Sequence, residues 1–110
     1  MTTHKQTIMV DIDDTICYHE AENNGPLDYS LAKPYPERIA KINALFDEGH
    51  TIIYWTARGT VTGINWFFVT LTQLNQWGCK FHELRMGKPA YDLFIDDKNI
   101  NSDTYFMMNI

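Results

Sequence analysis

Three short apolar runs stop abruptly on polar clusters, and this pattern constrains the chain more than any other feature. Thr7-Ile8-Met9-Val10 ends at Asp11-Ile12-Asp13-Asp14-Thr15, and Thr51-Ile52-Ile53-Tyr54-Trp55 ends at Thr56-Ala57-Arg58-Gly59. Leu93-Phe94-Ile95 ends at Asp96-Asp97. Runs this short and this rich in β-branched and aromatic residues read as buried strands, because helices need more length. Helical patterns separate them. Pro36-Glu37 opens a helix, Ile39, Ile42, Leu45 and Phe46 give it one apolar face, and Gly49 closes it. Residues 61–77 form the longest helix candidate, with Ile64, Phe67, Phe68, Leu71 and Leu74 on one face and Gly78 at its end. Phe81 to Leu84 is a short strand candidate, and Tyr105, Phe106, Met107 and Met108 in the tail are expected to dock on the core. Residues 17–35, with Asn23-Asn24-Gly25-Pro26, Pro34 and Pro36 nearby, read as a loop or flap.

Alternating strands and helices imply right-handed crossovers. The expected fold is α/β: a three-layer, Rossmann-like sandwich with a mainly parallel central sheet. The chain of 110 residues is long enough for one domain, 1–110, and shows no repeat or interdomain linker. In such sheets ligands bind beyond the carboxyl ends of the strands. The three polar clusters are therefore expected to converge on one edge.

Composition narrows the partners. Nine basic and 14 acidic side chains give a formal charge of −5, which offers no global attraction to nucleic acid or an anionic membrane. No apolar run approaches the length of a membrane span. The N-terminal stretch lacks the apolar region of a secretory signal. Cys17 and Cys79 are too few for a disulfide scaffold, and reduced thiols in a cytoplasmic protein are expected.

Carboxylates gathered at one edge repel unless a cation sits among them. A hard divalent ion resolves this, and Mg²⁺ suits a site of a few carboxylates, waters and a phosphate. Clustered acids thus predict a metal, and the metal predicts an anionic substrate whose remaining charge Arg58 and Lys88 would offset. Asp11, at a strand tip, is either a pure metal ligand or a nucleophile forming an acyl phosphate. Asp13 is placed to act as the neighbouring acid and base. Thr15 and Thr56 offer hydroxyls to phosphate or to Asp11.

These residues carry a resemblance. Asp11-Ile12-Asp13-Asp14-Thr15 resembles the first motif, D-x-D-x-T, of the haloacid dehalogenase (HAD) superfamily. Thr56 at its strand end resembles the second motif, Lys88 in Gly87-Lys88-Pro89 the third, and Asp96-Asp97 the acidic pair of the fourth. The resemblance implies that Asp11 becomes phosphorylated. Asp13 would be the general acid/base and would lend its backbone carbonyl to Mg²⁺. Thr56 and Lys88 would hold the phosphoryl oxygens, and Asp96 and Asp97 would bind the metal, one directly and one through water. The metal set implied is Asp11, Asp13, Asp96 and Asp97, and the substrate-binding set Thr15, Ala57 and Arg58. An Asp at position 13 favours ester hydrolysis over dehalogenation, because an alkoxide leaving group needs a proton.

Family members usually carry a cap domain. Here the intervals Ile16 to Trp55 and Ala57 to Gly87 are already occupied by predicted elements, so the chain resembles a capless member whose open site is walled by the 17–35 flap, a large substrate or a second subunit. Thr56-Ala57-Arg58-Gly59 and Gly87 to Lys98 also resemble a small capless group associated with surface-polysaccharide biosynthesis. The expected activity is hydrolysis of a small sugar- or polyol-type phosphate monoester. Two other readings stand beside it: a polynucleotide 3′-end phosphatase using Arg58, Lys33 and Lys88, and a non-catalytic module that binds a phosphate or a partner. Asp14 is expected to cap or solvate its turn, and Cys17 to be an inert buried thiol. His4, His50 and His82 are expected to be satisfied or surface groups, while His19, in the flap, is within reach of a substrate. Glu20, Glu22 and Asp28 are expected to be solvated.

Overall fold

A computed structural model describes residues 4–20 and 27–108. Glu22 and the flap tip Asn23-Asn24-Gly25-Pro26 fall outside the described residues, as do 1–3 and 109–110.

The first two apolar runs form parallel neighbours, β1 (Thr7–Val10) and β4 (Thr51–Trp55), registered Ile8 opposite Ile52 and Val10 opposite Tyr54. β5 (Glu83–Arg85) adds on the other side of β4, also parallel, so the order is β1-β4-β5. Successive strand residues point to opposite faces. Ile52, Ile53 and Tyr54 are all buried, so both faces of the central strand are covered. The flap contributes a separate antiparallel pair, β2 (Cys17–Tyr18) and β3 (Lys33–Pro34), with a single 3₁₀ turn over Tyr29–Leu31 between them.

The helix α1 (Pro36–Asp47) forms where the pattern predicts it, with Pro at its start and Ile39 and Ile42 buried. These join Val10, Ile12, Ile16, Ile52, Tyr54, Leu74 and Cys79 in one core. A short C-terminal helix α3 (Ser102–Met107) is capped by Asn101, whose side chain accepts from the Asp103 and Thr104 amides. The chain is thus a small α/β protein with a parallel three-stranded sheet and three helices.

Three expectations are corrected. α2 spans Phe67–Gln76, not 61–77. Gly59 and Gly63 both adopt positive φ, 82° and 79°, which breaks helical continuity. At Gly59 a Cβ would lie 2.0 Å from the Ile64 carbonyl oxygen, so no other residue fits that turn. Asn65 then caps the true start by accepting from the Phe67 amide. The buried face also differs. Ile64 and Phe68 are exposed, and the inward positions are Thr70, Gln73 and Leu74. Polar side chains face inward there because a buried arginine binds them, as described below.

Leu93-Phe94-Ile95 is not a buried strand. It joins no sheet, and Leu93 and Ile95 are 75% and 87% exposed. Asp96 Oδ2 instead accepts from the Lys98 amide, and the Asn99 side chain donates to the Phe94 carbonyl. Such local side-chain bonds compete with a sheet ladder. In the tail, Tyr105 and Phe106 pack on the core, but Met107 and Met108 are exposed.

Candidate active site

The site begins at the carboxyl end of β1. There the chain turns sharply: the Thr15 and Ile16 amides donate to the Ile12 carbonyl, and the Asp14 amide donates to the Cys17 carbonyl. Asp14 takes φ 61°, a left-handed conformation that Asp tolerates better than most residues. This turn anchors Ile12 and Ile16 in the core and leaves Asp11, Asp13 and Thr15 to face the sheet edge.

Asp11 is held from two sides. The Lys88 ammonium donates to Oδ1 at 3.1 Å and the Thr15 hydroxyl to Oδ2 at 3.1 Å. The Asp11 side chain keeps 36% of its surface exposed while that of Lys88 keeps only 13%. Burial would lower the Lys88 ammonium, but the Asp11 charge and hydrogen bond, with Tyr91 beside it, hold it above its ordinary value. Lys88 therefore stays cationic. Its position follows from its own backbone: the Lys88 amide donates to the Thr56 carbonyl, and the Thr60 hydroxyl donates to the Lys88 carbonyl. Thr56 is buried at the tip of β4 and accepts the Arg58 amide on its hydroxyl. Ala57 lies in the same turn, where its carbonyl accepts from Thr60.

Asp13 has a different environment. Arg58 grips it in a fork, Nε to Oδ2 at 3.0 Å and Nη2 to Oδ1 at 2.9 Å, and His19 Nε2 lies 2.7 Å from Oδ1. Burial alone would raise the Asp13 carboxyl, but the Arg58 hydrogen bonds and charge, with His19, outweigh it and hold the carboxyl below its usual range. Arg58 is itself buried, and its Nη1 donates to Thr70 and to Gln73 Oε1. Its guanidinium also lies over the Tyr29 ring, 4.9 Å from the centroid. Arg58 was expected among substrate-binding groups; every edge of it faces inward, so it positions Asp13 instead.

Two contributors were not singled out for these roles by the sequence. Gln73 accepts from Arg58 and donates to the Tyr29 carbonyl, tying α2 to the flap. His19 faces Asp13 rather than open solvent. The alternation of β2 carries the signal, since Cys17 and His19, two residues apart, both turn toward Asp13.

Among the described residues, the one group of three potential metal-ligand side chains within mutual reach is Asp13, Cys17 and His19. A cation there would meet the Arg58 guanidinium, whose Nη2 lies 3.9 Å from Cys17 Sγ. Burial also pushes the Cys17 thiol far above its ordinary value, so it is a neutral thiol, as expected. This group is not a magnesium site. The oxygen donors that suit Mg²⁺ are Asp11, partly open, and the exposed Asp96 and Asp97. The acidic pair is not gathered with Asp11 into such a group. Its segment is nevertheless tethered nearby, for the Ser102 hydroxyl donates to the Asp14 carbonyl at 3.3 Å. Because Arg58 and His19 occupy both Asp13 oxygens, Asp13 could serve a metal through its backbone carbonyl and not its carboxylate.

The remaining histidines are satisfied where described. His50 and His82 each accept a backbone amide on Nδ1, from Gln6 and Ile52. Lys33 pairs with Glu20 at 3.1 Å. No helix among the described residues is long and apolar enough to cross a membrane.

Comparison with known proteins supports the fold. No family model matches the chain, and no curated protein does. Among solved structures, the crystal structure of an MCSG target from Vibrio cholerae superposes with a TM-score of 0.79 at 23% identity, covering 97% of this chain and 91% of that one. At that identity the likeness establishes a shared architecture.

Proposed function

We propose that this chain is a Mg²⁺-dependent phosphatase of the HAD type, acting on a small phosphate monoester through a phosphoaspartate on Asp11. A capless three-layer sandwich of that family is the architecture this reading implies. The observation that carries it is the Asp11–Lys88 pair, joined at 3.1 Å across 77 positions at a strand's carboxyl end. A lysine there restrains the carboxylate and offers a positive charge to incoming phosphoryl oxygens.

The division of labour between the two aspartates supports the reading. Asp11 is partly open, with one face free to attack phosphorus, and Thr15 fixes its rotation. Asp13 is enclosed and cannot double as the nucleophile. Attack by Asp11 forms the P–O bond to its carboxylate and breaks the ester P–O bond, and the leaving alkoxide takes a proton from the Asp13–His19 pair. In the second step that pair accepts the proton of the attacking water, and the acyl phosphate is hydrolysed. Because Asp13 is held ionised, His19 at 2.7 Å supplies the proton reservoir. When bound, Mg²⁺ would neutralise phosphoryl charge; Asp11, the Asp13 carbonyl and the Asp96-Asp97 pair are the groups that would hold it.

The substrate class we favour is a sugar or polyol phosphate, in surface-polysaccharide biosynthesis. The polynucleotide reading loses support from the inward turn of Arg58 and the Lys33–Glu20 pair. The test is a screen of phosphorylated metabolites and 3′-phosphorylated oligonucleotides with and without Mg²⁺. The reading predicts Mg²⁺-dependent release of phosphate from a small ester, abolished in Asp11→Asn with the fold retained. Wild-type-like turnover by Asp11→Asn would remove Asp11 from its role. Phosphate binding without turnover by the wild-type chain would favour the non-catalytic module.

A further inference from the structure

The sheet has one protected edge and one unprotected edge. β5 carries the exposed ion pair Glu83–Arg85, a common guard against unwanted strand pairing. β1, Thr-Ile-Met-Val, carries no charge and no proline, pairs only with β4 among the described residues, and leaves Met9 44% exposed. An apolar, unguarded edge is a template for another strand.

The chain also displays a strand without a sheet. Leu93-Phe94-Ile95 has the composition of a buried strand, yet Leu93 and Ile95 are nearly bare. The segment is a loop anchored at both ends. Before it, Lys88 is fixed to Thr56 and Asp11; after it, Ser102 is bound to Asp14 and Asp103 to Arg38 at 2.9 Å. Between those anchors it packs loosely, leaving a cavity of about 270 Å³ against Trp55 and Lys88. The radius of gyration is 14.4 Å and the long axis 51 Å, against about 13 Å of radius expected for a compact domain of this length.

We infer that residues 93–95 pair with the free edge of β1 in a second copy of this chain, so that Asp96 and Asp97 of one protomer complete the Asp11 site of the other. Reciprocal exchange closes as a two-fold dimer. It covers both unguarded edges and both exposed triplets. It also carries the acidic pair to the carboxyl end of a β1 strand, where Asp11 lies. The shared site rests on the phosphatase reading; the dimer does not.

The experiment has two arms. Sedimentation of the full chain should give twice the 12.8 kDa chain mass, and Leu93→Asp/Ile95→Asp, whose side chains are exposed in the single chain, should sediment as a folded monomer by circular dichroism. A monomeric wild type, or a double variant that remains dimeric, overturns the exchange whether or not the protein is active. The second arm co-refolds equal amounts of Asp11→Asn and Asp96→Asn/Asp97→Asn chains and assays p-nitrophenyl phosphate with Mg²⁺. Each variant alone should be inactive, and the mixture should recover about one quarter of wild-type activity, because half the dimers are mixed and each holds one intact site. No recovery from a mixture of two dimeric variants, when the wild type is active, assigns the pair to its own chain and overturns the shared site. An inactive wild type that still passes the mass arm contradicts the phosphatase reading and leaves the dimer standing.

Discussion

At the scale of single residues, the two aspartates two positions apart have opposite fates because of what surrounds them. Asp11 has one lysine, one hydroxyl and solvent; Asp13 has a buried arginine fork and a histidine. Removing Arg58 should expose this arrangement. Arg58→Met leaves Asp13, Thr70 and Gln73 without their shared donor, and breaking such a buried pair costs about 3–5 kcal/mol, measurable by urea unfolding. In the same variant an NMR titration should find the Asp13 carboxyl higher than in wild type. The sign for stability follows. A depressed carboxyl contributes stability above its unfolded value of about 3.9, lost as pH falls through the lower folded value. Wild type should therefore lose more stability on acidification below about pH 4 than Arg58→Met does, and equal losses would contradict the pairing. Asp14 makes a separate point. At φ 61° a β-branched residue is strained, so Asp14→Val should cost about 1–2 kcal/mol while Asp14→Gly costs none. Position 14 was legible as a turn residue, but the hand of the turn depends on neighbours that only tertiary packing supplies.

Among elements, the first two strands and α1 were legible because their burial is decided locally: β-branched runs, and an apolar face between a proline and a glycine. α2 was not. Its apolar residues suggested one face, yet Arg58, from a different turn, draws Thr70 and Gln73 inward and leaves Phe68 74% exposed. A side chain that requires polar neighbours overrides the apolar period, and periodicity carries no trace of it. Thermal unfolding can check this face. Leu74→Ala should cost about 2–5 kcal/mol, and Phe68→Ala should stay within about 0.5 kcal/mol. A large loss at Phe68 would mean that the periodic face, not the arginine, orients the helix.

Across the whole molecule, residues far apart in the chain meet at one sheet edge, as the alternation of strands and helices implies. Lys88 reaches Asp11, and Thr56 holds the Lys88 backbone. The third cluster, Asp96-Asp97, follows a segment that sequence reads as a strand because apolar β-branched runs seek cover. In the single chain that cover is missing, and the run stays exposed. The strand was legible as an appetite for burial; its partner was not, since composition cannot say which molecule supplies it.

The claim on which this account turns is that Asp11 receives the phosphoryl group. Acid-quenching the protein during steady turnover of a phosphate monoester with Mg²⁺, then mapping the modified peptide, tests it directly. The account predicts a hydroxylamine-labile phosphoryl group on Asp11, absent in Asp11→Asn. Turnover with no such adduct in a quench fast enough to trap it, or with the group on another residue, would contradict it.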